Sequence, residues 1–218
     1  MGMTSSRRGG TRRRRPVLIP VLAVLLAAGV GVIGLLGGFA EAPEEAPPAL
    51  GEGAVLDQRM YHTRFDRATV TLVPQELGPP KRFLELRFTV TNRGAETSSV
   101  GSVPESPDQA AGPGFAASLL RVTPEIPADE PPVVLGRTAE AQTAQLHPGL
   151  ATTVLVRYEL APGAVPPERV TLDVGRYERG RGPLDPAETW RLETAARPGG
   201  APAPVVAARV TLPVRGDG

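Results

Sequence analysis

The chain has 218 residues, with 24 Lys and Arg, 23 Asp and Glu and no cysteine. That length holds one mid-sized domain, or one domain with an appendage, and excludes a large multidomain enzyme. The missing cysteine excludes disulfide scaffolds, thiolate metal sites, Cys nucleophiles and a lipidated bacterial N-terminus. Glycine and proline, 25 each, form about 23% of the chain beside 41% apolar residues, which points to short ordered segments separated by many turns and hence to β structure.

Residues 1–15 carry six arginines (Arg7, Arg8, Arg12, Arg13, Arg14, Arg15) and no acid. Taking these six from 24 leaves 18 basic against 23 acidic side chains in the remainder. No aromatic residue interleaves the arginines, so a nucleic-acid contact is not the reading they support. Residues 16–40 follow without one charged side chain over 25 residues; as helix they would reach roughly 37 Å, enough for a hydrocarbon core of about 30 Å. A transmembrane helix near residues 17–38 is therefore predicted. Arginine on one flank and Glu41, Glu44 and Glu45 on the other put the N-terminus in the cytoplasm and everything after residue 40 outside. Gly38-Phe39-Ala40 and Ala40-Glu41-Ala42 also have the small residues that signal peptidase needs, so a cleaved, secreted form is the alternative. The length of the apolar run favours a retained anchor.

Residues 41–53 are acidic and proline-rich, a composition that suits an extended linker. From there period-two alternation recurs, and no amphipathic helical stripe of useful length is found. Strands are predicted at residues 54–60, 64–73, 82–92, 118–123, 133–136, 150–160, 169–177, 189–194 and 205–214. The clearest is 82–92, with Leu84, Leu86, Phe88 and Val90 on one side and Glu85, Arg87, Thr89 and Thr91 on the other. In 150–160, Leu155 falls on the polar side and implies partial cover there. Residues 101–116 and 180–186 read as surface loops, and Pro-Gly clusters punctuate the remainder. Many short strands without helical crossovers predict an all-β domain over residues 54–215, an antiparallel immunoglobulin-like β-sandwich preceded by one N-terminal transmembrane helix. A small barrel is the second choice.

An Arg-rich single-pass anchor, a proline-acid linker, a strand ending Thr89-Val90-Thr91-Asn92, and Leu146-His147-Pro148-Gly149 before a further strand together resemble actinobacterial single-pass membrane-anchored proteins with an extracytoplasmic immunoglobulin-like domain. The resemblance covers residues 54–214 as an architecture. It implies a location and a fold, and brings neither a reaction nor catalytic residues.

Proton transfer at neutral pH most often recruits histidine, and the chain has His62 and His147 alone. His147 falls in a turn. His62 has Asp57 and Asp66 nearby in sequence, and Ser102 or Ser118 would complete a triad, but no Gly-x-Ser-x-Gly elbow occurs. Two separated histidines without cysteine argue against zinc, no calcium loop is present, and neither a phosphate loop nor a dinucleotide fingerprint is found. No catalytic residue, metal or cofactor is expected. The candidate interaction surface is an outward row of Arg157, Arg176, Arg179 and Arg181 with Tyr177, suited to an anionic envelope polymer or a protein partner. Trp190 is expected to anchor the core. The expected function is that of a membrane-anchored, extracytoplasmic binding module of the cell envelope, an accessory subunit of an envelope or transport complex with a membrane or envelope protein partner. The alternatives are a secreted ligand-binding protein and an envelope hydrolase using His62.

Overall fold

The structure, a computed structural model, describes residues 46–139, 141–181, 187–197 and 199–216. The expected basic tail, membrane helix and first part of the linker (residues 1–45) lie outside the described residues. Among the described ones no helix is long and apolar enough to cross a membrane.

The strands follow the alternation of the sequence. The first are β1 (Ala49–Leu50) and β2 (Val55–Asp57), then the long hairpin of β3 (Tyr61–Val73) and β4 (Lys81–Asn92). After β5 (Ser98–Ser99) come two 3-10 turns, Pro107–Gln109 and Phe115–Ser118. Next are β6 (Leu119–Thr123), β7 (Val133–Arg137), β8 (Gln142–Thr143), β9 (Gln145–Leu146) and β10 (Ala151–Glu159). The rest is β11 (Arg169–Gly175), β12 (Tyr177–Arg181), β13 (Glu188–Leu192), β14 (Thr194–Ala195), β15 (Ala203–Pro204) and β16 (Val206–Gly216).

One hydrogen-bonded path runs β6-β11-β16-β3-β4-β10-β7-β8, and β12-β13, β14-β15 and β5-β9 form small separate pairs. β16 connects two limbs: Val206 to Pro213 pair with β11, while Val214 to Gly216 turn to pair with β3. The all-antiparallel expectation needs one correction. β1 lies parallel to β16, and the end of β16 lies parallel to β3, so the sheet is mixed. The inward side chains of both limbs, among them Leu84, Leu86 and Phe88 from β4 and Val170, Leu172, Val210 and Leu212 from β11 and β16, enter one hydrophobic core. Through it runs a chain of edge-to-face rings, Tyr177 to Tyr61 at 5.3 Å, Tyr61 to Phe115 at 5.9 Å, Phe115 to Phe88 at 5.6 Å and Phe88 to Phe65 at 5.8 Å between centroids. Each such pair adds about 0.5–1.5 kcal/mol beyond its burial.

Two irregularities rephase the alternation. In β3, Tyr61, Thr63 and Phe65 point inward, and a bulge between Phe65 and Arg67 transfers the inward role to Ala68. Had strict alternation continued through Asp66 without the bulge, Arg67 would face the core. The predicted strand 169–177 likewise divides: the register shifts at Val174/Gly175, and a new two-stranded sheet starts at Tyr177. Strict alternation from Val170, Leu172 and Val174 would bury Arg176; the shift buries Tyr177 completely instead.

Two boundaries also move. The predicted linker 41–53 ends early, because Ala49 and Leu50 pair with Arg209 and Val210, and Leu50 packs on the core. The 101–116 loop is surface chain only in part. Phe115 and Ala116 are fully buried, and the Ala116 N–H donates to the Val100 carbonyl at 2.8 Å. The ends of this loop meet at Gly101 and Gly114, where a Cβ on Gly114 would lie 2.7 Å from the Gly101 Cα; only glycine permits that approach.

Candidate functional site

β6 is the edge strand of its limb. It bonds β11 on one side, and apart from the Leu119 N–H, which turns back to the Ala116 carbonyl, it carries no other backbone pairing among the described residues. Residues 124–132 then cross to the other limb. Their prolines (Pro124, Pro127, Pro131, Pro132) withhold backbone donors and keep the segment from joining a sheet. Ile126 anchors it in the core, the Ala161 N–H donates to the Pro127 carbonyl at 2.9 Å, and Ala128 bridges to Leu160. The crossing leaves a groove of about 580 Å³ between β6, residues 103–107, this connection and Tyr158 of β10. That volume lies in the range of about 300–1,000 Å³ usual for ligand pockets.

The groove has an apolar floor and an acidic rim. Val103, Leu120, Val122, Ile126 and Ala128 supply the first, and Glu105, Glu125, Asp129 and Glu130 the second, with Arg121 the one cation lining it. None of these four carboxylates has an ion-pair partner among the described residues. Of the four, Glu130 also acts on a cation outside the groove. The Lys81 ammonium is held above its ordinary pKa by its hydrogen bond to Glu159, at 2.7 Å, with Glu130 adding to the effect.

Tyr158 is 7% exposed, and its hydroxyl makes no hydrogen bond among the described residues. Burial pushes its phenol well above the ordinary value. The other two tyrosines are different: the Tyr61 hydroxyl donates to the Pro113 carbonyl and accepts from Ser98 Oγ at 2.9 Å, and the Tyr177 hydroxyl donates to the Gly114 carbonyl at 2.7 Å. Tyr158 is thus the one tyrosine whose hydroxyl has no protein partner among the described residues, and the residue lines the groove.

The arginine row expected from the sequence does not form one free surface. Arg157 lies on β10 and gives two hydrogen bonds to Glu85, at 2.5 and 2.8 Å, while its guanidinium sits 5.2 Å from the Phe83 ring centroid. Arg176 clamps Glu193 with two bonds of 2.7 Å, and Arg59, at φ 67°, adds a contact of 3.0 Å. Arg176 holds the Glu193 carboxyl below its ordinary pKa, with Arg59 assisting. Tyr177 is inside the core. Arg179 stacks on Trp190 at 5.1 Å, and Arg181 approaches Glu188 at 3.7 Å. Arg179 and Arg181 share an exposed face of β12, the one part of the row that stays together and outward. Trp190 is half-buried; its indole nitrogen covers the turn at Gly94, 3.3 Å from where a side chain there would begin.

The sheet separates buried Ser118 from the exposed pair His62 and Asp57. Ser118 is fully buried, with Gln58 donating to its hydroxyl and the hydroxyl donating to the Phe115 carbonyl at 2.8 Å. His62 is on the outward face of β3, opposite Asp57 and Thr91. Asp57 accepts from the Arg59 N–H at 2.7 Å, and Asp66 holds Arg64 at 2.5 Å. His147 meets Thr97 at 3.0 Å in an exposed turn. Among the described residues no group of three or more His, Asp or Glu could hold a metal ion.

Sequence reasoning missed the groove because its parts come from separate stretches, at 103–107, 120–132 and 158. The available signal was the acid and proline content of residues 124–132, which reads as loop punctuation. No family model, curated protein or solved structure matches the chain.

Proposed function

We propose that this protein is a membrane-tethered, extracytoplasmic binding module of the cell envelope, in which an immunoglobulin-like β-sandwich is carried on one N-terminal membrane helix and acts by contact with an envelope or membrane protein. The uncharged 16–40 segment behind six arginines supports the tether. The mostly β architecture supports the sandwich. The observation that carries the binding role is the groove beside β6, concave and apolar-floored, with Tyr158 at its wall, its hydroxyl without a partner among the described residues.

A photo-crosslinking side chain placed at Val103 in the groove, and as a control at Thr153 on the outward face of β10, tests this reading in native membranes. Adducts expected from the groove position and not from the control support a partner-binding groove. Equal labelling at both positions, or none from the groove in repeated trials, overturns it. Fractionation with intact mass separates the tethered form from a secreted one: a soluble product starting near Glu41 would remove the tether from the proposal.

A further inference from the structure

The groove beside β6 also carries information about what would fill it. Four carboxylates without ion-pair partners among the described residues stand on its rim against Arg121, a field that attracts cations and repels acids. Its long wall is an edge strand that pairs only with β11 over residues 120–123 among the described residues. Such an edge accepts an extended peptide as an added strand, with main-chain hydrogen bonds holding it and alternate side chains reaching opposite sides. Leu120 and Val122 give the apolar side of that alternation a floor. Opposite the strand lies Tyr158, a residue 7% exposed whose hydroxyl has no hydrogen-bond partner among the described residues.

Resting on the groove as the contact surface, we propose that its occupant is an extended basic segment of a partner protein, pairing with the free edge of β6, placing Lys or Arg against Glu105, Glu125, Asp129 and Glu130, and meeting the Tyr158 hydroxyl. A free polyamine would satisfy the charge but leaves the strand edge unused. An acidic polymer would meet the wrong field.

The chain has three tyrosines, so tyrosine-labelled full-length protein in detergent yields a small set of ring signals by NMR, two residues of which are locked in the core. The probes are the blocked peptide Val-Lys-Val-Lys-Val, its counterpart with Glu for Lys, and the Lys peptide N-methylated at alternate residues. The Lys peptide is expected to move the Tyr158 signals and leave those of Tyr61 and Tyr177 in place. By titration calorimetry, N-methylation is expected to weaken binding ~10-fold or more by removing main-chain donors. Glu125→Gln with Glu130→Gln should weaken it severalfold and flatten its salt dependence. Tyr158→Phe, which removes a hydroxyl with no partner among the described residues, should also weaken it.

A Tyr158 shift produced equally by the Glu peptide overturns the basic class and leaves the binding groove standing. Equal binding of the N-methylated peptide overturns strand addition. No Tyr158 shift with any probe overturns the inference as a whole, while the crosslinking experiment separately decides whether the groove is a contact surface at all.

Discussion

The Gln58 carboxamide donates to the Ser118 hydroxyl at 2.8 Å across 60 residues of chain. The same nitrogen donates to the Gly175 carbonyl at 2.7 Å, and Thr63 donates to its oxygen at 2.7 Å. The Gln58 backbone carbonyl accepts from Tyr177 at 3.0 Å. One fully buried side chain thus ties together the start of β3, the turn before β6 and the point where β11 gives way to β12. Because each polar atom has a partner, the group defines one arrangement of these elements.

Gln58→Leu keeps similar bulk and removes every one of the side-chain bonds, leaving the Gly175 carbonyl without this donor inside the core. A loss of about 2–4 kcal/mol is expected, measured as a lower urea midpoint. An unchanged midpoint would mean that water replaces the amide.

The tyrosines should separate by partner. Tyr61→Phe deletes the hydroxyl that reaches Ser98 and Pro113 and is expected to cost about 1–3 kcal/mol. Tyr158→Phe removes a hydroxyl without a partner among the described residues and should leave stability within about 1 kcal/mol of the parent, on the stabilising side. Comparable losses in the two variants would show that the Tyr158 hydroxyl is bonded after all.

All three tyrosines have raised pKa values from burial, Tyr61 to about 12. A tyrosine in the unfolded chain ionises near pH ~10. The folded state therefore holds protons that the unfolded state gives up, so this contribution is complete below pH ~10 and is lost as pH rises through the folded values. Tyrosinate absorbance should stay silent as pH passes ~10 and then appear together with loss of β-sheet circular dichroism. Early absorbance with the sheet intact would contradict the burial of at least one ring.

Glu193 titrates in the opposite direction. Its folded pKa is lowered, chiefly by Arg176, so its contribution is present above the unfolded value of about 4.3 and is lost as pH falls through the folded one. The Tm difference between the parent and Glu193→Gln should be largest near neutrality and shrink on acidification. A difference independent of pH would assign the effect of the variant to packing.

The N-terminal boundary can be tested by truncation. The compact unit spans Pro47–Gly218, and a chain starting at residue 54 loses the β1 pairing, the packing of Leu50 and the Arg215 to Glu52 bridge of 2.8 Å. Relative to a start at residue 47, a loss of about 1–2 kcal/mol is expected, read from the urea midpoint. Equal midpoints would return residues 47–53 to the linker.

The sequence by itself determined the long strands and, where the alternation runs unbroken, their faces. Leu84 to Val90 alternate so regularly that β4 spans Lys81–Asn92 where residues 82–92 were expected, because a half-buried strand needs that periodicity and few other structures tolerate it. It could not determine where the period slips. One inserted residue at Asp66 and the register shift at Val174/Gly175 reverse which side chains are inside, and the shift sends Tyr177 into the core and leaves Arg176 to Glu193. Nor does alternation reveal partners: Arg157 meets Glu85 from 72 positions away, a pairing set by strand order. The groove is of this second kind throughout. Val122, Glu130 and Tyr158 become neighbours only when residues 124–132 cross between the limbs, and the solvation of a carboxylate or a phenol depends on that neighbourhood rather than on its place in the chain.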